Sequence, residues 1–291
     1  MSSPRAPVPS PPGTIRVDAP LVLIPVHVTT AAGASVTDLS KVSFHVFEDN
    51  AEQQITYFAK DEAPVSIGVL LDTSASMQHK MRRTSEAAAS VLHSANPGDE
   101  FFLIEFNERP KLTVPFTNNT DQLYRRFLHA GPFGRTSLLD AVHLAAGQMK
   151  NARNTRKAVL VVSDGGDNHS RLSRTKVRND VLESDMQLYA IGIFDENPKT
   201  KRPIEEVNGP DLLQELADET GGRHYRVDNL DDLAAVADRI SIEMRSEYLL
   251  GFSPSSAQRD GKYHRVKVTV DGTGGGNLRT WFRRGYYAPG Q

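Results

Sequence analysis

The sequence contains no cysteine among its 291 residues. Disulfide bonds, thiolate catalysis and cysteine-ligated zinc or iron–sulfur centres are therefore excluded. No apolar run approaches the ~18 to 20 residues that a membrane-spanning helix requires, so no membrane insertion is expected. Neither charge is in clear excess, because 34 lysines and arginines stand against 36 aspartates and glutamates. A nucleic-acid-binding surface needs a basic excess, so no nucleic acid is expected as a partner.

The first twenty residues, MSSPRAPVPSPPGTIRVDAP, lack the basic and then apolar pattern of a signal peptide. Six prolines in this stretch predict an extended, disordered leader over residues 1–20. Such a leader fits a native linker, and it fits equally a mature N-terminus from which a signal has been removed. The residues leave both interpretations open.

Two hydrophobic patterns divide the rest of the chain. Residues 21–63 and 247–291 form short, alternating, β-like segments, which predict antiparallel strands from both termini assembled into one small β-sandwich-like domain. Between residues 64 and 246, nearly continuous apolar strands alternate with helical patterns. This order indicates βαβ units. The predicted fold class is therefore α/β, a doubly wound and mostly parallel sheet, with the β-rich domain beside it.

A polar, proline-containing insertion, residues 195–210, separates a predicted strand from a predicted helix. In open α/β sheets, ligands bind outside the carboxyl ends of the strands, where such connections lie. The insertion is therefore expected to be a surface loop on the ligand-binding face.

Polar oxygen-bearing residues follow three of the predicted strands or precede a helix on the same side. They are Asp72, Ser74 and Ser76 after the first buried strand, Thr136 before a helix, and Asp164 after a later strand. A parallel sheet would bring all of them into one crevice. Mg²⁺ prefers such oxygen ligands, and it binds through few carboxylates. Because hydroxyls are weak ligands, a metal held there would remain a strong Lewis acid and favour an incoming carboxylate.

The same residues carry a resemblance to a known family. The stretch DTSAS, residues 72–76, resembles the D-x-S-x-S element of the von Willebrand factor type A (VWA) family, where it forms the metal-ion-dependent adhesion site (MIDAS). Residues 134–141, GRTSLLDA, match the family's G-x-T-x-L-x-x-A setting, and residues 163–165, SDG, match its third loop. All three elements occur in the family's order, and the resemblance as a whole covers about 180 residues.

The resemblance implies a set of metal ligands and a partner. Its members would be Asp72, Ser74, Ser76, Thr136 and Asp164, the serines and threonine binding Mg²⁺ or Mn²⁺ directly and the aspartates directly or through water. An aspartate or glutamate of a partner protein would complete the metal's coordination. Arg135 stands where the family often has glycine, so a cation near the metal would either lower metal affinity or grip an acidic ligand bidentately.

The β-like flanks and the stretch LADETGGRHYRV resemble a narrower bacterial group, the Acidobacterial-type VWFA-related proteins. Proteins of that group are largely exported. The resemblance therefore favours an extracellular or periplasmic location, with which a trimmed proline-rich leader agrees.

Three other interpretations compete with the metal-binding module. Taken singly, Ser76 or Thr136 would be an ordinary helix cap. An aspartate after the first parallel strand also resembles the Mg²⁺-dependent phosphatases of the haloacid dehalogenase family, but Ser74 stands in place of their second acid and supplies no proton at neutral pH. A metal-free interaction scaffold is the third. Because every expected ligand is present, the prediction is a non-enzymatic, metal-dependent adhesion or interaction module.

Overall fold

The computed structural model describes residues 21–61, 63–194, 208–254, 260–272 and 277–288. The predicted leader and most of the insertion at 195–210 lie outside the described residues. The expectations stated for those two segments therefore stay predictions.

The described part of the chain begins and ends with β-structure and has a mixed middle. Its strands are β1 (Val22–Thr29), β2 (Phe44–Glu48), β3 (Ala51–Gln53), β4 (Ile55–Asp61), β5 (Val65–Asp72), β6 (Glu100–Phe106), β7 (Lys111–Thr117), β8 (Arg156–Ser163), β9 (Gln187–Ile193), β10 (His224–Val227), β11 (Glu247–Phe252), β12 (Tyr263–Val270), β13 (Arg279–Phe282) and β14 (Gly285–Tyr287). Its α-helices are α1 (Met81–His93), α2 (Thr120–Phe127), α3 (Leu138–Met149), α4 (Arg174–Glu183), α5 (Gly209–Thr220) and α6 (Leu233–Arg245).

A six-stranded sheet in the order β10-β9-β8-β5-β6-β7 forms the centre of the α/β part. All neighbours pair in parallel except β7, which pairs antiparallel with β6 at the edge. The strand β5 shows why the sheet lies inside, since each of its eight residues is buried. A strand covered on both faces needs apolar residues at consecutive positions rather than alternate ones. The prediction of a mostly parallel α/β sheet is confirmed.

Helices cover both faces of this sheet and form two separate cores. On one face, Val69 of β5 belongs to a cluster with residues of α1, α2 and α6. On the other, Leu70 belongs to a cluster with residues of α3, α4 and α5. Neighbouring residues of one strand thus point into opposite cores, which is the alternation expected of a strand.

Strands from both ends of the chain form a β-sandwich beside the α/β part. One sheet has the order β13-β1-β11-β4 and the other β14-β12-β2-β3. Residues of both sheets, among them Val26 and Val46, share one buried cluster. The hydroxyl of Tyr248 in β11 donates to the carbonyl of Val36 and accepts from the amide of Leu39. The predicted β-rich unit therefore combines both termini.

The last apolar segment differs from the prediction in one respect. Residues 278–288 resemble one continuous strand in sequence, yet they form β13 in one sheet and β14 in the other. The crossing occurs at Arg283 and Arg284, and the guanidinium of Arg283 donates to the carbonyl of Leu23 at 2.9 Å. The alternation of side chains is the same in both sheets, so the pattern alone does not reveal the crossing.

No helix in the described ranges is both long enough and apolar enough to cross a membrane. The longest described α-helices, α1 and α6, have 13 residues each and carry charged residues on their outer faces.

Candidate functional site

Hydrogen bonds join the three polar loops at the carboxyl edge of the central sheet. The loop after β5 meets the loop before α3 twice: the amide of Ala75 donates to the carbonyl of Gly134 at 3.0 Å, and the amide of Phe133 donates to the carbonyl of Thr73 at 2.9 Å. The first two polar segments of the sequence therefore lie side by side.

The loop after β8 is attached to the same place through Thr136. The amide of Thr136 donates to Oδ1 of Asn168 at 3.0 Å. Its carbonyl accepts from the amides of Asn168 and His169 at 3.1 and 2.9 Å. These hydrogen bonds join all three loops at one edge of the sheet, and the assignment of their side chains to one metal site stays a prediction.

Asp72 lies at the bottom of this crevice and is completely buried. Its Oδ1 accepts from the amide of Ser74 at 2.9 Å, and its Oδ2 accepts from the hydroxyl of Ser163 at 2.5 Å. Burial and the nearby charge of Asp164 raise the pKa of Asp72 to about 7, although the hydrogen bonds from Ser163 and Ser74 oppose this. Two carboxylates held this close in a buried place favour a cation between them.

Ser74 and Ser76 place their hydroxyls next to each other, with 3.1 Å between the two Oγ atoms. Ser74 is buried and Ser76 half-buried. Ser74 precedes a short 3₁₀ turn, Ala75–Met77, without making a side-chain cap to it. The helix-cap interpretation concerned Ser76 and Thr136, and Ser76 lies inside this short turn with its hydroxyl beside that of Ser74.

Asp164 is also buried, with 2% of its surface exposed. Its Oδ1 accepts from the amide of Gly166 at 3.3 Å. Its Oδ2 has no hydrogen-bond partner among the described residues, and the ammonium Nζ of Lys80 lies 3.6 Å away. A buried carboxylate oxygen without a hydrogen bond is unusual and calls for a cation or water in the crevice.

Thr136 is 4% exposed, and the neighbouring Ser137 has a different task. The hydroxyl of Ser137 donates to the carbonyl of Asn107 at 2.7 Å, and Ser137 makes no side-chain cap to α3 although it precedes that helix. Ser137 thus fastens the loop to the end of β6, while Thr136 contacts the third loop through its backbone amide and carbonyl.

A pair of glycines allows the loop after β8 to pack closely. Gly165 has a φ of +77°, and a Cβ there would lie 2.7 Å from the backbone of Gly209 at the start of α5. A side chain at either position would push Asp164 out of place, because Gly209 in turn contacts the carbonyl of Asp164.

Two exposed side chains flank the crevice on the loop before α3. Arg135, which the sequence marks as a departure from the family, is exposed, and Phe133 beside it is 61% exposed. Asp140 in the first turn of α3 accepts from the amides of Arg171 and Leu172, both at 3.1 Å, so it ties that helix to the third loop. Arg135 is therefore accessible from solvent on the loop that carries Thr136.

The donor chemistry of the crevice fits a hard divalent cation. Within the ranges that the structure describes, no three side chains of the histidine, aspartate and glutamate types gather into a metal cluster. The crevice has two carboxylates, and the remaining oxygens belong to hydroxyls. Mg²⁺ binds through few carboxylates and retains water, which suits a site of two carboxylates and several hydroxyls.

Three residues that contact the candidate ligands are not among the metal ligands predicted from the sequence. Ser163 binds Asp72, Asn168 positions Thr136, and Lys80 pairs with Asp164. Ser163 immediately precedes Asp164 at the end of β8, so its position in the sequence is enough to predict that it lies at the site. The sequence gives no such signal for Lys80, because its side chain reaches the end of β9. Only the folded chain brings these two positions together.

An open, mostly parallel sheet between two helical layers, with polar loops at its carboxyl edge, defines a Rossmann-like α/β domain. Residues 67–166 match the family model of the von Willebrand factor type A domain. The matched range runs from β5 to the loop after β8 and includes every candidate ligand. The α/β part of this chain is a von Willebrand factor type A domain. Membership of the narrower Acidobacterial-type group stays a prediction.

Known proteins share the fold at low sequence identity. A von Willebrand factor type A structure from Catenulispora acidiphila is 13% identical, with a TM-score of 0.56 over 84% of this chain and 73% of that one. Proximal thread matrix protein 1 from the mussel byssus, with a zinc-occupied MIDAS motif, is 15% identical, with a TM-score of 0.52 over 68% of this chain and 49% of that one. These likenesses show the fold.

A sequence relative comes from Borreliella burgdorferi. This uncharacterized protein is 22% identical over an alignment of 188 residues. The match covers 57% of this chain. The match spans 55% of the length of that relative.

Proposed function

We propose that this chain is a non-enzymatic binding module that uses a divalent cation, Mg²⁺ or Mn²⁺, to capture an acidic residue of a partner protein. Asp72, Ser74, Ser76, Thr136 and Asp164 would hold the cation. A bound divalent cation supplies positive charge and an open coordination position for a carboxylate. The role of the protein is to hold five oxygen donors in place before the partner arrives.

This proposal rests on the burial and the hydrogen bonding of the two aspartates. Asp72 is fully buried beside Asp164, and Oδ2 of Asp164 lacks a hydrogen bond among the described residues. Burying two neighbouring carboxylates is unfavourable unless a positive charge compensates them. Ser74 and Ser76 add hydroxyl oxygens without adding negative charge.

The composition of the site also favours an acidic partner. With only two carboxylates for a doubly charged cation, the ligand set leaves no excess of negative charge that would repel another acid. The exposed guanidinium of Arg135 stands beside Thr136 and offers a bidentate contact to the same carboxylate. Phe133 adds an apolar surface next to it, which suits a side chain adjacent to the acid.

The comparisons support the proposal by analogy. The byssus protein with the same fold is described as having a zinc-occupied MIDAS motif. A thread matrix is a place for protein–protein contacts, and the narrower bacterial group that the flanks resemble is largely exported. An adhesive or scaffolding role at the cell envelope or outside the cell follows as part of the proposal.

An enzymatic role receives less support from the site. A phosphatase that used Asp72 as nucleophile would need a second acid close by to protonate the leaving group. Position 74 has a serine, and its hydroxyl contacts the hydroxyl of Ser76. Ser163 further occupies Oδ2 of Asp72 with a hydrogen bond, which reduces its nucleophilicity.

Thermal unfolding with and without metal tests the proposal. Mg²⁺ or Mn²⁺ at millimolar concentration should raise the melting temperature of the wild type, and excess chelator should reverse the rise. Asp72→Ala should not respond to metal, whereas Asp121→Ala, which changes an exposed aspartate of α2, should respond like the wild type. A wild type that does not respond to either metal would contradict the proposed function.

Short peptides test the partner chemistry. In the presence of Mn²⁺, peptides that present a single aspartate or glutamate should bind, and the same peptides with asparagine or glutamine should not. Equal binding of acidic and amide peptides, or binding that survives chelation, would exclude a metal-bound carboxylate as the contact.

A further inference from the structure

A lysine lies inside the candidate metal site. Lys80 immediately precedes α1, and its side chain extends across the ends of β8 and β9. The residue is 9% exposed, which is rare for lysine because its ammonium group is costly to bury. A lysine in this position needs partners that compensate for the lost hydration.

The partners of Lys80 are at the carboxyl edge of the sheet. Its Nζ donates to the carbonyl of Ile193, the last residue of β9, at 3.3 Å. The same Nζ lies 3.6 Å from Oδ2 of Asp164. This is the oxygen that has no hydrogen bond among the described residues. Lys80 therefore compensates the charge of Asp164 without satisfying its hydrogen-bonding capacity.

The site contains three groups that can carry charge, two carboxylates and one ammonium. When both carboxylates are ionised, Asp72 and Asp164 contribute two negative charges and Lys80 one positive charge. A divalent cation that uses Asp164 must approach the oxygen that Lys80 faces. The ammonium and the metal would then repel each other across a buried region, where screening by water and salt is weak.

We propose that Lys80 is a resident counter-ion of Asp164 that opposes metal binding and so sets the affinity of the site for divalent cations. This inference rests on the proposed function and adds to it a residue that controls occupancy. With metal absent, Lys80 stabilises the buried acid. With metal present, it lowers affinity, so that the site fills only at higher free metal concentrations.

The geometry gives Lys80 two further properties that a surface lysine lacks. The contact to the carbonyl of Ile193 holds the ammonium in place, so it cannot simply swing out into solvent as metal binds. The end of β9 also leads directly into the insertion at 195–210. Lys80 thus connects the acid at the end of β8 with the backbone at the end of the next strand.

Metal titration of charge-removing variants tests the proposal. Lys80→Met removes the charge and keeps an unbranched apolar chain of similar length. Lys80→Gln removes the charge but retains a donor for the carbonyl of Ile193, and it carries the test if Lys80→Met does not fold. By calorimetric titration with Mn²⁺ and Mg²⁺, the variant should bind at least about tenfold more tightly than the wild type, equivalent to about 1.4 kcal/mol.

A matched control removes a lysine charge elsewhere. Lys176 in α4 forms a 2.5 Å pair with Asp180, but its side chain is 56% exposed and distant in sequence from every candidate ligand. Lys176→Met should leave metal affinity within about twofold of the wild type, because exposed charges are screened.

A second measurement needs no metal. In excess chelator, Lys80→Met should lower the melting temperature, because Asp164 then remains buried without a counter-ion. Combining it with Asp164→Asn should give a smaller loss than the sum of the single losses, as expected for a coupled pair. Additive losses would overturn the counter-ion role.

The outcomes separate this inference from the proposed function. If the wild type binds metal and Lys80→Met and Lys80→Gln bind no more tightly, the inference is wrong and the proposed function stands. Binding by the variants alone would support the inference and show that Lys80 keeps the native site closed. If no form binds metal, the proposed function is wrong, and so is the claim that Lys80 opposes metal binding. The counter-ion role of Lys80 would then be supported only by energetic coupling between Lys80 and Asp164, measured in chelator.

Discussion

The hydroxyl of Ser163 donates a 2.5 Å hydrogen bond to Oδ2 of Asp72, and both groups are completely buried. The two residues end the neighbouring parallel strands β8 and β5 but stand 91 positions apart in the chain. Ser163 also accepts the amide of Gly165, so it fixes the loop that carries Asp164. One serine hydroxyl thus links the carboxylate of Asp72 to the backbone that follows Asp164.

Replacing Ser163 by alanine should weaken the site and the fold. Loss of the donor leaves an oxygen of Asp72 unsatisfied, so the free energy of unfolding should fall by about 1–3 kcal/mol, and metal affinity should fall as well. Urea unfolding and Mn²⁺ titration measure the two effects. Ser184→Ala is the control, because its buried hydroxyl donates to the carbonyl of Val181 far from the site. It should reduce stability and leave metal affinity unchanged.

Thr136 and Ser137 are adjacent hydroxyls with different expected roles. Thr136→Val removes the proposed ligand and should abolish the rise in melting temperature with Mg²⁺, with little effect in chelator. Ser137→Ala removes a hydrogen bond to the carbonyl of Asn107, so stability should fall by about 1 kcal/mol in either condition while the response to Mg²⁺ remains. Identical metal responses in the two variants would remove Thr136 from the ligand set.

The ion pair between Arg156 and Glu247 should support the junction of the α/β part with the sandwich. Its atoms lie 3.1 Å apart, and the side chains are 7% and 3% exposed. Glu247→Gln removes a buried negative charge 3.1 Å from the guanidinium of Arg156, so the free energy of unfolding should fall by about 3 kcal/mol. Glu86→Gln changes an exposed pair with Arg82, and urea unfolding should show a loss below about 0.5 kcal/mol.

Two histidines should titrate on opposite sides of the ordinary value of 6.5. Burial and the charge of Arg226 lower the pKa of His224 to about 4. Burial also acts to lower the pKa of His264, but hydrogen bonds to Asp49 and Asp260 outweigh it and raise the pKa. His264 therefore contributes stability below pH 6.5 that is lost as pH rises through its raised pKa. His224 contributes stability above pH 6.5 that is lost as pH falls towards about 4.

Histidine resonances followed by NMR between about pH 3 and pH 9 would measure both values. His264→Gln should remove the resonance with the raised pKa and leave that of His224 in place. Two unshifted titrations near 6.5 would contradict the packing described for these side chains.

Generic phosphomonoesters should not be hydrolysed. Position 74 is a serine, whereas the haloacid dehalogenase phosphatases have at this position the acid that protonates the leaving oxygen. A p-nitrophenyl phosphate assay with Mg²⁺ checks this, with Asp72→Asn run in parallel. Turnover by the wild type that disappears in Asp72→Asn would make the chain an enzyme and replace the binding-module proposal.

The secondary structure of the α/β part was predictable because its local signals agree. The stretch EFFLIEF corresponds residue for residue to β6, and Asn119 caps α2 by accepting from the amide of Asp121, as expected from its side chain. The antiparallel β7 at the edge and the division of the last segment into two strands involve choices of partner strand. Side-chain alternation is the same in either arrangement, so those choices depend on the assembled sheets.

The candidate ligands were predictable for a different reason. Parallel strands bring the loops at their carboxyl ends together whatever the length of chain between them, so order along the sequence was sufficient to group Asp72, Thr136 and Asp164. Asn168, by contrast, looks like an ordinary turn residue in sequence, and its hydrogen bond to Thr136 depends on how two loops cross.

The sequence by itself determined the layered α/β architecture, the sandwich built from both termini and the oxygen chemistry of the crevice, since each follows from hydrophobic period or residue type. Only the tertiary structure shows that the hydroxyl of Ser163 donates to Asp72 and that the ammonium of Lys80 lies next to Asp164. These contacts join residues on different strands and loops, and the direction of a long side chain depends on the packing around it. The contact between Lys80 and Asp164 therefore depends on the fold and not on position in the sequence.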